Sequence, residues 1–200
     1  MEYSPLLADL IAKFQVLPGV GKRTAQRMAF ALLSGKRQSG IQLSESLGKA
    51  MREIKECSVC RNYSETDVCA VCSSERRKSS GVLCVVESPA DVVAIENTAC
   101  HQGTYFVLHG KISPLDGIGP SDVGIDLLEA LLEKNSYHEL IIALSPTVEG
   151  NMTSLYIAEI AERAGISVTR LSQGIPVGGE INNLDENTLS YSLANRKKFS

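Results

Sequence analysis

The chain has 200 residues, 44% of them hydrophobic and 22% charged, with a formal net charge of -3. That is enough apolar material for one or two cores, and a net negative chain has no global field to attract nucleic acid, so any such contact has to come from local basic patches. No apolar run is long enough to cross a bilayer and no secretory pattern precedes Asp9, so the chain reads as cytoplasmic, where six cysteines serve metal binding or packing rather than disulfides.

The first element is a helix. Leu6, Leu7, Leu10, Ile11, Phe14 and Leu17 recur at spacings of three and four and share one face. Pro18-Gly19-Val20-Gly21 interrupts, and Ala25, Met28, Ala29, Leu32 and Leu33 resume the period in a second helix. Gly19 and Gly21 permit positive φ and close backbone approach, and the start of the second helix presents free N–H groups beside Lys22, Arg23 and Arg27. Such an end attracts phosphate. The arrangement resembles the helix-hairpin-helix DNA-binding motif, which grips the backbone without reading bases. On these residues alone an ordinary helix–helix turn with solvated cations stands equally open. Leu43, Leu47, Met51 and Ile54 predict a third helix.

Cys57-Ser58-Val59-Cys60 and Cys69-Ala70-Val71-Cys72 follow, two C-x-x-C pairs separated by eight residues. Each pair forms a tight knuckle that turns two thiolates into one site, and four thiolates close a tetrahedral shell suited to zinc, with no position left for water. The site is therefore expected to be structural, stapling a loop whose only bulky apolar residues between the pairs are Tyr63 and Val68. A redox C-x-x-C usually follows a strand and opens a helix, whereas these pairs occupy a polar, Ser- and Asn-rich stretch. Cys84 and Cys100 read as packed residues or bystanders.

Beyond the cysteines, strand and helix alternate. Strands are predicted over Val82–Val86, Tyr105–Leu108, Leu140–Leu144 and Ile166–Leu171, with helices over Pro89–Asn97, Val123–Lys134 and Met152–Ala164. This order implies a mostly parallel sheet with right-handed crossovers. A loop, Gly174–Gly179, and a short helix over Leu189–Arg196 complete the chain. Glu87 ends the first strand and Ser145-Pro146-Thr147-Val148-Glu149-Gly150 follows the third, along the edge where ligands of open parallel sheets gather. The layout resembles a Toprim domain, in which a glutamate after the first strand and an Asp-x-Asp pair after the third hold magnesium. Here Ser145 and Thr147 stand at the two aspartate positions, while Glu149-Gly150 is retained. Loss of two carboxylates weakens a site for a hard cation and argues against nuclease, primase or topoisomerase chemistry. Glu87 and Glu149 are left as interaction or structural residues.

Four strings, LPGVGKR (17–23), SPLDGIGP (113–120), PTVEG (146–150) and GIPVGGE (174–180), together with the cysteine spacing, resemble the RecR family over nearly the whole chain. One departure is His109, where the family more often has glycine; as a loop histidine it is given no chemistry. The resemblance implies an α/β fold with a helix-hairpin-helix module over 1–53, a four-cysteine zinc finger (zinc knuckle) over 54–78, a Toprim domain over 79–172 and a Walker B-like tail with a helix over 173–200. It further implies a non-catalytic, DNA-binding recombination mediator, a homotetrameric ring able to surround DNA. Such a ring acts with RecO, and in some bacteria RecF, to load RecA onto single-stranded gaps. No phosphate loop of the form G-x-x-x-x-G-K-[ST] is present, so ATP hydrolysis is not expected. The competing expectation is a Toprim-type magnesium-dependent nuclease or topoisomerase-like enzyme built on Glu87 and Glu149.

Overall fold

In this computed structural model residues 3–196 and residue 198 are described; Met1, Glu2, Lys197, Phe199 and Ser200, which close the 1–53 and 173–200 modules, lie outside the described residues. The described residues divide into two compact units, one ending at Ile54 and the other starting at Lys55.

The N-terminal unit holds α1 (Pro5–Phe14), α2 (Lys22–Leu33) and α3 (Arg37–Glu53). Pro5 starts α1 where its missing N–H costs no hydrogen bond. The helix stops at Phe14, three residues short of the predicted apolar face. Gln15, Val16 and Leu17 donate to the carbonyls three residues back, which tightens the chain and leaves Leu17 half exposed. A turn follows in which Val20 N–H donates to the Leu17 carbonyl, with Gly19 at φ 75 in the left-handed region open to glycine. Ile11, Ala25 and Ala29 are buried at the crossing of α1 and α2, and the two alanines let the backbones approach. The α3 stripe behaves otherwise: Leu43, Leu47, Met51 and Ile54 all stay exposed, and the helix buries no residue.

The second unit begins with the hairpin β1 (Lys55–Glu56) and β2 (Tyr63–Ser64), then the short helices α4 (Ala70–Ser73) and α5 (Glu75–Lys78). A four-stranded sheet follows, from β3 (Val82–Val86), β4 (Thr104–Val107), β5 (Glu139–Ala143) and β6 (Ser167–Arg170). Its order is β4-β3-β5-β6 and every pairing is parallel. The helices are α6 (Pro89–Glu96), α7 (Ile125–Lys134), α8 (Val148–Arg163) and α9 (Glu186–Ala194).

Alternation along the strands sorts the core. Leu83, Val85, Phe106, Leu140 and Ile142 face α7 and α8 through Leu128, Leu132, Ile157 and Ile160. Cys84, Val86, Tyr105 and Val107 face the other way, against Val92 and Ile95 of α6 and Val71 of α4. Burial of each such aliphatic side chain contributes about 1.5–3 kcal/mol. The chain moves from β3 to β4 on one side and then crosses to β5 on the other. The direction reverses between β3 and β5, and the carboxyl ends of those two strands form the crevice where open α/β sheets bind ligands.

Candidate metal centre and nucleic-acid interface

The four cysteines of the two knuckles are buried, and their sulfur atoms all lie within 4.8 Å of one another. Cys60 Sγ and Cys69 Sγ are 3.6 Å apart, close to the edge of roughly 3.8 Å expected of a sulfur tetrahedron around zinc with bonds of about 2.3 Å. Local geometry brings them there. Arg61 N–H donates back to the Cys57 carbonyl and Arg61 takes φ 62, which turns the first knuckle; Ser73 N–H donates to the Cys69 carbonyl and closes the second. Cys69 N–H donates to Cys57 Sγ at 3.3 Å and links the two. Four thiols this close cannot all ionise unless a cation shares the charge. A hydrogen bond from Cys72 lowers the Cys60 thiol to about 6 against the effect of burial, whereas burial pushes Cys69 up to about 11. Cys72, holding its proton toward Cys60, is pushed up as well. Gathering four cysteine sulfurs this closely as thiolates calls for a divalent ion to share their charge, so the donor set fits zinc.

The knuckle is docked on the sheet. Val107 N–H, on the outer edge of β4, donates to the Cys60 carbonyl at 2.9 Å, so the exposed edge of the sheet is capped. The Arg61 guanidinium donates from Nη1 to the carbonyls of Leu108 (3.2 Å) and Val123 (2.8 Å) and lies 5.9 Å from the Phe106 ring centroid. It occupies the space beside Gly124, where a Cβ would come within 2.0 Å of Nη1. His109 is more than the solvated loop residue expected of it. It takes φ 59, which explains a glycine preference at that position, and its Nε2–H donates to the Arg61 carbonyl at 2.6 Å. The ring also lies 3.7 Å from Glu56 and packs against Tyr63.

At the β3/β5 crevice, Glu87 and Ser145 meet as the strand ends predict. Glu87 Oε1 accepts the Ser145 N–H at 2.5 Å, and Glu87 Oε2 lies 3.4 Å from Lys111 Nζ, which also reaches Thr147 Oγ1 at 3.4 Å. Thr147 caps α8 by accepting Gly150 N–H at 3.1 Å, and Gly150 is required because a Cβ there would meet the Ser145 carbonyl at 2.0 Å. Glu149 is half buried in the first turn of α8. These residues do not fit the magnesium of an active Toprim centre. The aspartate positions carry hydroxyls, and the remaining glutamate is held by an amide and an ammonium.

In the N-terminal unit, Gly21 is the N-cap of α2 and has no side chain to fold back on the helix. Among the described residues the N–H groups of Gly21, Lys22, Arg23 and Thr24 have no hydrogen-bond partner. Lys22, Arg23 and Arg27 are exposed around that end. No Cβ clash explains Gly21, whose surroundings are open. Its bareness leaves the four amides accessible, a ready seat for an anion.

Family models match along almost the whole chain. The RecR helix-hairpin-helix model matches residues 7–51, the RecR four-cysteine zinc finger domain residues 54–74, the Toprim domain residues 81–172 and the RecR C-terminal model residues 174–197. The chain belongs to the RecR family. Its domains are those of a recombination mediator in DNA repair, with one structural zinc for the four-cysteine cluster. Among the described residues no helix is long and apolar enough to cross a membrane. Sequence reasoning missed Lys111, Arg61 and His109, whose partners lie 24 to 62 residues away in the chain. The one local signal was the unusual histidine at 109.

Proposed function

We propose that this RecR-family chain is a non-catalytic, cytoplasmic recombination mediator that holds DNA through the α1–α2 hairpin. With RecO, and with RecF where it takes part, it loads RecA onto single-stranded gaps. The observation that carries this reading is the seat of four unpartnered amides at the start of α2, ringed by Lys22, Arg23 and Arg27, with Gly19 and Gly21 shaping the turn. Such a seat contacts phosphate and not bases. Cys57, Cys60, Cys69 and Cys72 are the zinc ligands. Glu87 and Glu149 serve the Toprim module structurally or at a partner surface. The modules 1–53, 54–78, 79–172 and 173–200 divide these tasks.

The same charges support assembly into a ring, which the family resemblance gives as a homotetramer. One small basic hairpin on a chain of net charge -3 holds DNA weakly, and several hairpins around one duplex make the later contacts intramolecular. The exposed stripe of Leu43, Leu47 and Met51 on α3 supports self-association, since monomers rarely leave such rows bare. The test is RecA loading on gapped DNA coated with single-strand-binding protein, in the presence of a RecO-type partner. Wild type is expected to accelerate loading and the Lys22→Ala, Arg23→Ala variant to lose most of that effect. Equal loading by the two proteins contradicts the proposal.

A further inference from the structure

In the second unit a cleft of mixed polar and apolar lining opens beside the β3/β5 crevice and shares neither of its glutamates. It has a volume of about 590 Å³ and lies between the carboxyl ends of β5 and β6 and the tail helix α9. Among the described residues lining it, Arg170 carries the only formal charge. No carboxylate pairs with it among the described residues. Its guanidinium is instead oriented by two side-chain carbonyls. Nη2 donates to Asn151 Oδ1 at 2.7 Å, and with the Gln173 amide turned so that its oxygen faces the guanidinium, the orientation that satisfies both its ends, Nη2 and Nε donate to that oxygen at 2.7 and 3.1 Å. Gln173 in turn donates to the Tyr191 hydroxyl at 3.2 Å. Nη1 has no partner among the described residues, and neither does the Asn187 side chain.

An arginine fixed by neutral groups, with a spare pair of N–H donors and no acid to neutralise it, is arranged for an oxyanion from outside. The neighbouring acid Asp185 is occupied as the N-cap of α9, accepting Thr188 N–H at 2.9 Å and Thr188 Oγ1–H at 2.6 Å. The cleft is far larger than one phosphate needs. Beside Arg170 it offers an apolar wall of Leu144, Pro146 and Leu171, the half-exposed ring of Tyr191, and the free amide of Asn187. A flat, partly apolar group with a hydrogen-bonding edge, joined to a phosphate, matches those three surfaces.

We infer that this cleft binds a nucleotide phosphate, with Arg170 on the phosphate and Tyr191 against the base. The shared chemistry has two sources, a free mononucleotide or one nucleotide of a DNA strand. The site shares no residue with the hairpin, so its failure leaves the hairpin reading intact and the reverse also holds.

The experiment uses the full-length, zinc-loaded protein and titration calorimetry with inorganic phosphate, dAMP and the oligonucleotide dT6. The dT6 arm is run in the Lys22→Ala, Arg23→Ala, Arg27→Ala background to remove the hairpin's contribution. Arg170→Gln, whose thermal midpoint is checked against the parent, is expected to weaken binding at least about tenfold, the loss of a charge-assisted contact from Nη1. Arg170→Lys keeps the charge without the planar group that Asn151 and Gln173 orient, and is expected to fall between the two. Tyr191→Leu is expected to weaken dAMP while sparing inorganic phosphate. Arg170-dependent binding of dAMP alone identifies a free nucleotide as the source, and of dT6 alone a strand. If neither probe binds, or if Arg170→Gln and Arg170→Lys both bind as the parent does, the inference is overturned.

Discussion

Lys111 adds a positive charge to the sheet edge where the aspartates of a Toprim centre are replaced by hydroxyls. Its ammonium sits 3.4 Å from Glu87 Oε2 and 3.4 Å from Thr147 Oγ1, supplying beside the glutamate the positive charge that a divalent ion brings to active relatives of the fold. Restoring the two aspartates alone is therefore expected to leave the ammonium competing with metal. Manganese binding, followed by calorimetry, should be at least about tenfold tighter in Lys111→Met, Ser145→Asp, Thr147→Asp than in Ser145→Asp, Thr147→Asp, because the ammonium repels the incoming ion. Equal affinities would show that Lys111 is a bystander. A second polar cluster acts on stability. Arg77 donates to both oxygens of Glu96, at 3.0 and 2.5 Å, and to the carbonyls of His101 and Gly103, while Tyr105 Oη–H donates to Glu96 at 2.6 Å. Burial raises the Glu96 carboxyl, but the hydrogen bonds from Arg77 and Tyr105 outweigh it and hold the group below its ordinary range. Burial also lowers His101. For both groups the unfolded chain binds protons more readily, so their stabilisation is present at neutral pH and is lost on acidification. His101 begins to lose it below about pH 6.5 and Glu96 below about pH 4.3. Glu96→Gln should cost about 2–3 kcal/mol at pH 7 and flatten the acid limb of a stability–pH curve. An unchanged limb would remove Glu96 from this role.

The zinc knuckle is the element on which the edge of the sheet depends. It caps the outer N–H of Val107, fills the space beside Gly124 with Arg61 and packs Val71 onto the core. Chelation of zinc should therefore do more than loosen residues 57–72. Amide exchange at Val107 should accelerate, and the thermal midpoint should fall, because the folding free energy of the knuckle is the binding free energy of the metal. Midpoint and Val107 protection that survive metal release would contradict that coupling. The knuckle was legible as a metal site because C-x-x-C spacing is local, but its docking was not. The partners of Arg61 and His109 lie 47 to 62 residues away, and no periodicity reports them. The same contrast runs through the regular elements. The β3 strand could be read residue by residue because an unbroken apolar run marks a strand buried on both faces. α8 starts at Val148, four residues before the expected Met152, because its start is set by the Thr147 cap and not by apolar period. α3 was expected as a helix from its apolar period and is one, but it leaves that stripe exposed, since a periodic stripe reports amphipathicity and not what covers it.

For the whole molecule, the bulk charge of -3 hides a local gathering of cations, because Lys22, Arg23 and Arg27 lie close together on one helix, at the end proposed to hold DNA. The order of modules was readable from the sequence because each carries its own short string, and the family models match in the same order. Assembly leaves a measurable trace. If α3 stripes pair between copies, Leu47→Glu should shift the sedimentation profile toward smaller species and weaken DNA binding with it, while the same profile for variant and parent would exclude that stripe. The most direct measurement is the salt dependence of DNA affinity in the wild type and in Lys22→Ala, Arg23→Ala, Arg27→Ala. If the hairpin is the phosphate-gripping site, the variant's log–log slope should be shallower by about 2–3, since each phosphate contact contributes roughly 0.9. The same slope in both proteins would place the DNA contact elsewhere and contradict the account.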